Sequence, residues 1–338
     1  MDAEKKVKNN RNIAVWQRSN GGLSMIRALS IAAAVFVTLL WSSSYILNQY
    51  AFAESVGPFT LAGMRYSAAA LTLWVVLRLR DRKHAQANGV NDVQNVSSEV
   101  TQGKWRLTWK HYLFLGITGF ILAQGLQYAG QFYLTPTQSN MFLSVGNTLF
   151  LLVIDALWLR ELKGRATFLA VLAAMVGIVF YYYPWHFAQS SLIGISLILL
   201  SCVGYAVHLT YSRYLLTRKQ TAPSALVFIP MLIGAAGMLL TGFILEGIPP
   251  YSLKLILILL WLGPINGALA FTLWAWSQKQ LRAYESSLIN NLMLLEVALM
   301  DILFLGRSIT YLQAGSLCIA GTAIVAVQLA PLLKKHKQ

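Results

Sequence analysis

Charge is scarce in this chain. Asp, Glu, Lys and Arg together make up 12% of its 338 residues, about half the share found in an ordinary globular protein. So few charges cannot cover a water-facing surface, and 57% of the residues are apolar. The length alone would suit roughly two soluble domains, but this composition excludes them. A mean hydropathy of +0.56 agrees. The chain reads as a polytopic membrane protein. Cysteine is scarcer still: Cys202 and Cys318 stand in apolar stretches with no His or Cys spaced around them, so neither a disulfide framework nor a metal cluster is implied. Acidic residues number only 12 against 27 Lys and Arg. In a soluble protein that excess would suggest nucleic acid; here it reports cytoplasmic loops, and no nucleic-acid partner is expected.

Motifs that carry chemistry are missing too. There is no G-x-x-x-x-G-K-[ST] loop, which argues against ATP-driven work by this chain alone. No His-Glu-x-x-His motif, nucleophile elbow or haem-attachment motif appears, so no catalytic residue, cofactor or metal is assigned. No span carries the regularly spaced arginines of a voltage sensor. The apolar runs are continuous and do not alternate with period two, which excludes a membrane β-barrel. No cleavable leader is evident, because the first apolar run, 28–47, is long enough to span and lacks a small-residue exit.

What is present is a series of runs near the ~20 residues needed to cross hydrocarbon. Ten are expected, at about 27–50, 58–79, 111–132, 138–159, 165–184, 190–212, 223–245, 252–276, 284–305 and 308–332. Pro58, Pro136, Pro184 and the Pro249-Pro250 pair mark breaks; Pro230 and Pro264 fall inside spans and predict kinks. The fold class is all-α membrane protein. With the N-terminus in the cytoplasm, every Lys and Arg except Lys254, Arg307 and the intrahelical Arg65 falls on the cytoplasmic side. A wrong count would scramble that bias, so both termini are expected there. The parts are a basic tail 1–26, a first five-helix repeat 27–187 with a polar loop 80–110, a second repeat 188–332, and a basic tail 333–338.

Five spans on each side of about residue 187 suggest a duplication, and an odd number per half inserts the halves oppositely. Echoes support it. At a shift of 164, Trp41 falls on Tyr205, Asn48 on Ser212 and Tyr50 on Tyr214. Thr137-Gln138-Ser139-Asn140 opens the fourth span much as Glu285-Ser286-Ser287 opens the ninth.

Several of these segments resemble the drug/metabolite transporter superfamily, specifically its EamA-type branch. They are Leu40-Trp41-Ser42-Ser43-Ser44-Tyr45, Gly57-Pro58 leading to Arg65-Tyr66, and Ala129-Gly130 through Leu134-Thr135-Pro136-Thr137. Leu159-Arg160-Glu161 and Phe304-Leu305-Gly306 complete the set. The likeness covers 27–332. It departs where the family often has a Pro in helices 4 and 9 and an acidic residue after the second Leu-Gly: helix 4 has no Pro, Glu296-Val297 occupies the helix 9 region, and Arg307 follows Gly306. The resemblance implies a carrier, often an exporter of amino acids or other small metabolites, and cannot name the cargo.

Polar residues in hydrocarbon must pair or face water, so their stripes locate a cavity. Helix 3 carries Gln124, Gln127, Tyr128 and Gln131 at helical spacing; helix 4 carries Asn140, Ser144, Asn147 and Asp155. Helix 6 carries Ser201, Tyr205, His208 and Ser212, and helix 9 carries Ser287, Asn290 and Asp301. Trp41, Tyr45 and Asn48 of helix 1 and Phe271, Trp274 and Gln278 of helix 8 add to them. Interhelical glue, at about 0.6 kcal/mol per contact, is the bland reading of any one; several stripes at one depth favour a lined central cavity. The expected substrate-binding set is Trp41, Tyr45, Gln124, Tyr128, Asn140, Ser144, Asn147, Tyr205, His208, Trp274 and Asn290.

Three charges lie inside spans. Arg65 can snorkel, pair with an acid or bind a substrate carboxylate, and structural pairing is favoured. Glu296, with no basic residue within a turn, is the first candidate for proton coupling; a structural carboxyl is the alternative. Asp301 is a candidate partner for Arg65. Asp155 is expected to pair with Arg160 or Lys163. The expected partners are therefore a small-molecule substrate and the lipid of a bacterial cytoplasmic (inner) membrane, with proton coupling left open and the chain acting as monomer or homodimer. Competing readings are uptake of a nucleoside-like or other organic solute, a channel, and an intramembrane lipid-handling enzyme.

Overall fold

Hydrocarbon offers a backbone no partner but itself, so continuous apolar runs fold as helices. The computed structural model describes residues 2–88, 107–154, 157, 165–181, 183, 188–218, 226–250, 252–278, 281 and 289–335, and among them there is no strand. In order the helices are α1 (Asp2–Ala53), α2 (Pro58–Asn88), α3 (Trp109–Tyr133), α4 (Pro136–Ile154) and α5 (Arg165–Tyr181). Then follow α6 (Gln189–Arg218), α7 (Phe228–Leu245), α8 (Leu253–Leu260, Trp261–Leu269 and Ala270–Gln278), α9 (Met293–Leu305) and α10 (Tyr311–Lys335). Six stretches, in α1, α2, α3, α6, α7 and α8, are long and apolar enough to cross a bilayer.

The helix ends follow local chemistry. Pro58 and Pro136 open α2 and α4 at the first helical position, where a missing N–H costs nothing. Ser252 caps α8 by accepting from the Leu255 amide at 3.1 Å, and Gly306 stops α9 in a left-handed conformation, φ 64°.

Two expectations change, the start of the polar loop and the kink at Pro230. The tail 1–26 is helical from Asp2 onward, and α2 continues to Asn88 into the expected loop 80–110. Both stretches are rich in helix-favouring Lys, Arg, Ala and Gln, and no Gly or Pro interrupts α2 from Leu79 until Gly89. Pro230 makes no kink, because α7 begins at Phe228 and places it in the first turn. Pro264 sits in a π-helical segment of α8.

That segment has a counterpart. In α3, eight α-helical residues lead into the π segment Ile117–Gly125; in α8, eight lead into Trp261–Leu269, 144 positions later. Gly119 and Gly263 occupy the same place in each. The third helix of each half thus has one design, as a duplication requires.

Packing repeats it as well. α1 lies against α8 and α9, whereas α6 lies against α3 and α4; α2 packs on α7 and α5 on α10. Exchanging α1 with α6, α3 with α8 and α4 with α9 leaves this pattern unchanged, which is a two-fold relation. Residue pairs give the directions. Ser42 meets Glu296 and Tyr50 meets Phe304, so α1 and α9 run parallel. Asn266 meets Leu40 and Lys254 meets Glu54, so α8 runs against α1. Gly63 abuts Leu239 and Gly242 abuts Thr60, so α2 and α7 are antiparallel; a Cβ at either glycine would collide with the facing helix. By such pairs α1, α3, α7 and α9 point one way, and α2, α4, α6 and α8 the other. The buried core lies mainly between α2, α3, α7 and α8, with a second cluster between α4, α6 and α9.

Candidate functional site

Between these helices lies a cavity of about 420 Å³. Call the end of the bundle near Met25 the near end and that near Ala53 the far end. The deep wall is built by Tyr45 of α1, Arg65 and Tyr66 of α2, Gln124 and Gln127 of α3, and Asn140 of α4. Trp41, Ser144, Asn147, Ser201 and Tyr205 form the middle, and Leu151, Leu209, Phe271 and Asn290 reach toward the near end. The α3 residues project from the π segment and the turn after it. A π turn shifts the phase of the side chains that follow and often accompanies function.

Arg65 is buried, at 6% exposure. It donates from Nη1 to the Tyr128 hydroxyl and from Nη2 to Asn266 Oδ1 at 3.2 Å. The Tyr66 and Tyr128 rings lie 5.5 and 5.8 Å from Cζ, within cation–π range. Its Nε has no partner, and neither do the buried Asn147 Oδ1 and Asn291 Nδ2 on the same cavity. Buried polar atoms are normally paired, and these three belong to residues that line one cavity.

The far end is closed by hydrogen bonds. Asn48 donates to Gln131 Oε1 at 2.7 Å, and Gln49 donates to the Gln131 and Leu134 carbonyls at 2.9 and 3.1 Å. Tyr50 donates to the Phe304 carbonyl at 2.8 Å. Glu246 accepts from the Phe59 and Thr60 amides and the Thr60 hydroxyl, capping α2. Asp301 accepts from the Thr137 amide and hydroxyl, capping α4. Carboxylates suit helix N-termini because the free amides and the dipole both favour a negative charge. At the surface Lys254 donates to Glu54 at 2.8 Å; that bond and one from Ser252 hold the Glu54 carboxyl below its ordinary range.

The residues expected from sequence separate into groups. Trp41, Tyr45, Arg65, Gln124, Asn140, Ser144, Asn147, Tyr205 and Asn290 line the cavity. Asn140 also donates to the Met293 carbonyl at 2.8 Å. Tyr128 lies behind the wall, holding Arg65. His208 packs against Gly119 and Phe120, because the α3 glycine leaves room there for an imidazole. Trp274 backs Trp41, ring centroids 5.2 Å apart. Glu296 accepts from Thr38 at 3.0 Å and Ser42 at 2.8 Å, joining α9 to α1 one turn from the cavity-lining Met293.

The expected pairing of Arg65 with Asp301 does not occur. Asp301 sits at the far end with Thr137 and, at 3.7 Å, Arg307, while Arg65 is held by neutral partners. Asp155, Ser287 and the side chain of Gln278 lie outside the described residues. Sequence reasoning missed Asn266, Tyr66 and Asn291. Asn266 is a lone amide in the apolar run from Trp261 to Leu273, and that isolation was the available signal.

A two-fold bundle with a polar central cavity and an apolar exterior is the form of an integral, multi-pass membrane protein. The EamA-like transporter family matches the chain twice, over residues 28–183 and 192–328, one match per half. The chain belongs to that family. It is also similar to a protein of Archaeoglobus fulgidus described as an uncharacterized transporter, 24% identical over 208 residues. That match spans 61% of this chain and 64% of the relative. A crystal structure of a protein 17% identical to this chain superposes with a TM-score of 0.59 over 90% of this chain and 96% of that one, a likeness of fold.

Proposed function

We propose that this protein is a secondary carrier that moves an amino acid or related amphipathic metabolite outward by alternating access around the central cavity. In this reading ten helices cross the membrane as two inverted repeats. Both termini lie in the cytoplasm, and the membrane is the bacterial cytoplasmic one. The observation that carries it is the cavity's position between the two repeats, reaching toward the near end and closed at the far end. A pocket bounded by elements that a two-fold exchanges can open to either side by rocking one half against the other. The cavity wall combines amides, hydroxyls and the flat faces of Trp41, Tyr45 and Tyr205, which suits a solute with one polar end and one apolar end.

Glu296 favours proton coupling as a second element of the proposal. Its carboxylate ties α9 to α1 through two hydroxyls, so protonation would weaken the link between helices from opposite repeats. Counterflow in proteoliposomes tests the carrier reading. Labelled amino acid should accumulate when vesicles are preloaded with the unlabelled compound; absence of exchange with every amino acid would refute it. Single-channel conductance would indicate a pore instead.

A further inference from the structure

Arg65 carries a full positive charge on the cavity wall, and among the described residues no carboxylate answers it. Each described acidic side chain near the bundle is engaged elsewhere: Glu54 with Lys254, Glu246 with the start of α2, Glu296 with Thr38 and Ser42, and Asp301 with Thr137 and Arg307. The guanidinium is held in place by Tyr128 and Asn266, two neutral groups that orient it without cancelling its charge. Arg65 lines the cavity, and its Nε is enclosed without a partner. A buried charge without a counter-ion is costly, and intramembrane charges normally mark a substrate path or a partner.

We infer that Arg65 is the specificity-determining residue for a carboxylate on the cargo, which supplies the missing counter-charge. The guanidinium is planar and presents donors in a fixed fork that matches two carboxylate oxygens, and it stays charged at any physiological pH. Being the cavity's single described cation, it suits one negative charge and is ill matched to a phosphorylated cargo with two or more. Asn147 of α4 lines the same cavity and its Oδ1 is unpaired, so a small turn of its amide suits it to a donor such as an ammonium on the same molecule. The cargo class is thus a monocarboxylate, and one bearing an amine uses both groups. This inference rests on the carrier reading above, but it concerns recognition and can fail separately.

The test is a matched binding series on the purified full chain. Thermal stabilisation is measured with a panel of L-amino acids, with each one's α-carboxamide, and with the decarboxylated amine. Wild-type protein should bind at least one acid tenfold or more tightly than its carboxamide. Arg65→Gln should collapse that ratio toward one. Arg65→Lys, which keeps the charge and loses the fork, should retain part of it and serves where Arg65→Gln does not fold. A structural role for Arg65 would lower stability without altering the acid-to-amide ratio, and that result overturns the inference. So does equal binding of acid and amide by the wild type, or a panel in which no carboxylate binds. If an acid binds through Arg65 and is not exchanged across vesicles, the recognition stands and the carrier reading falls.

Discussion

Glu246, at the end of α7, holds Thr60 of α2 twice, taking its amide at 2.8 Å and its hydroxyl at 2.7 Å. With the Phe59 amide, one carboxylate therefore satisfies three donors at the start of a helix some 186 positions away in sequence and ties the two repeats together at the far end. Removing a capping side chain costs about 1 kcal/mol, and more where charge meets free amides. Glu246→Ala is expected to lower the melting temperature of the detergent-purified protein by several degrees, on the order of 1–2 kcal/mol at the midpoint. Glu246→Gln, which still accepts, should lose less. Unchanged melting in both would mean that α2 is capped otherwise.

Trp41 should contribute to binding through its face. It lines the cavity and is backed by Trp274 and by Phe271 at 5.5 Å. Trp41→Ala should weaken a bound amino acid by roughly three- to tenfold, the scale of an aromatic contact of about 0.5–1.5 kcal/mol. Isothermal titration against the same ligand would detect it. Trp274→Ala, one layer behind, should cost less.

Glu296→Gln keeps a group able to bond Thr38 and Ser42 but cannot carry a proton. The variant should fold normally and lose any response of flux to an imposed proton gradient. A variant whose flux still follows the gradient would remove Glu296 from the coupling path. Wild-type flux that ignores the gradient would identify a uniporter.

Sidedness gives a further test. Thr148 and Leu151 line the cavity toward the near end, whereas Gln131 is buried in the far-end seal. In a background with Cys318 replaced, a cysteine at Leu151 should react with a membrane-impermeant maleimide applied from the cytoplasmic face, and one at Gln131 should be protected from the outside. Labelling of Leu151→Cys from the outside alone would reverse the assigned orientation.

Much of the fold was legible in the sequence because hydrocarbon enforces it. A run of about twenty apolar residues has few structural options. The π segments were not legible, since α and π turns share one composition, although Pro264 marked one of them. The site was legible as stripes and blurred as roles. Tyr128 and His208 share helical faces with lining residues, yet each sits a fraction of a turn behind the wall, where only packing decides between contact and support. Asp301 could not be separated from Arg65 by sequence, because pairing across helices depends on depth, and the two lie at different levels.

The far-end seal offers the most direct measurement. Asn48 of α1 and Gln131 of α3 meet at 2.7 Å where the cavity is closed. Cysteines at both positions, joined by a short bis-methanethiosulfonate spacer, should abolish amino acid exchange in proteoliposomes while leaving ligand binding intact, and reduction should restore exchange. Exchange that continues at the wild-type rate with the link in place would mean that the far end need not open, and alternating access around this cavity would be contradicted.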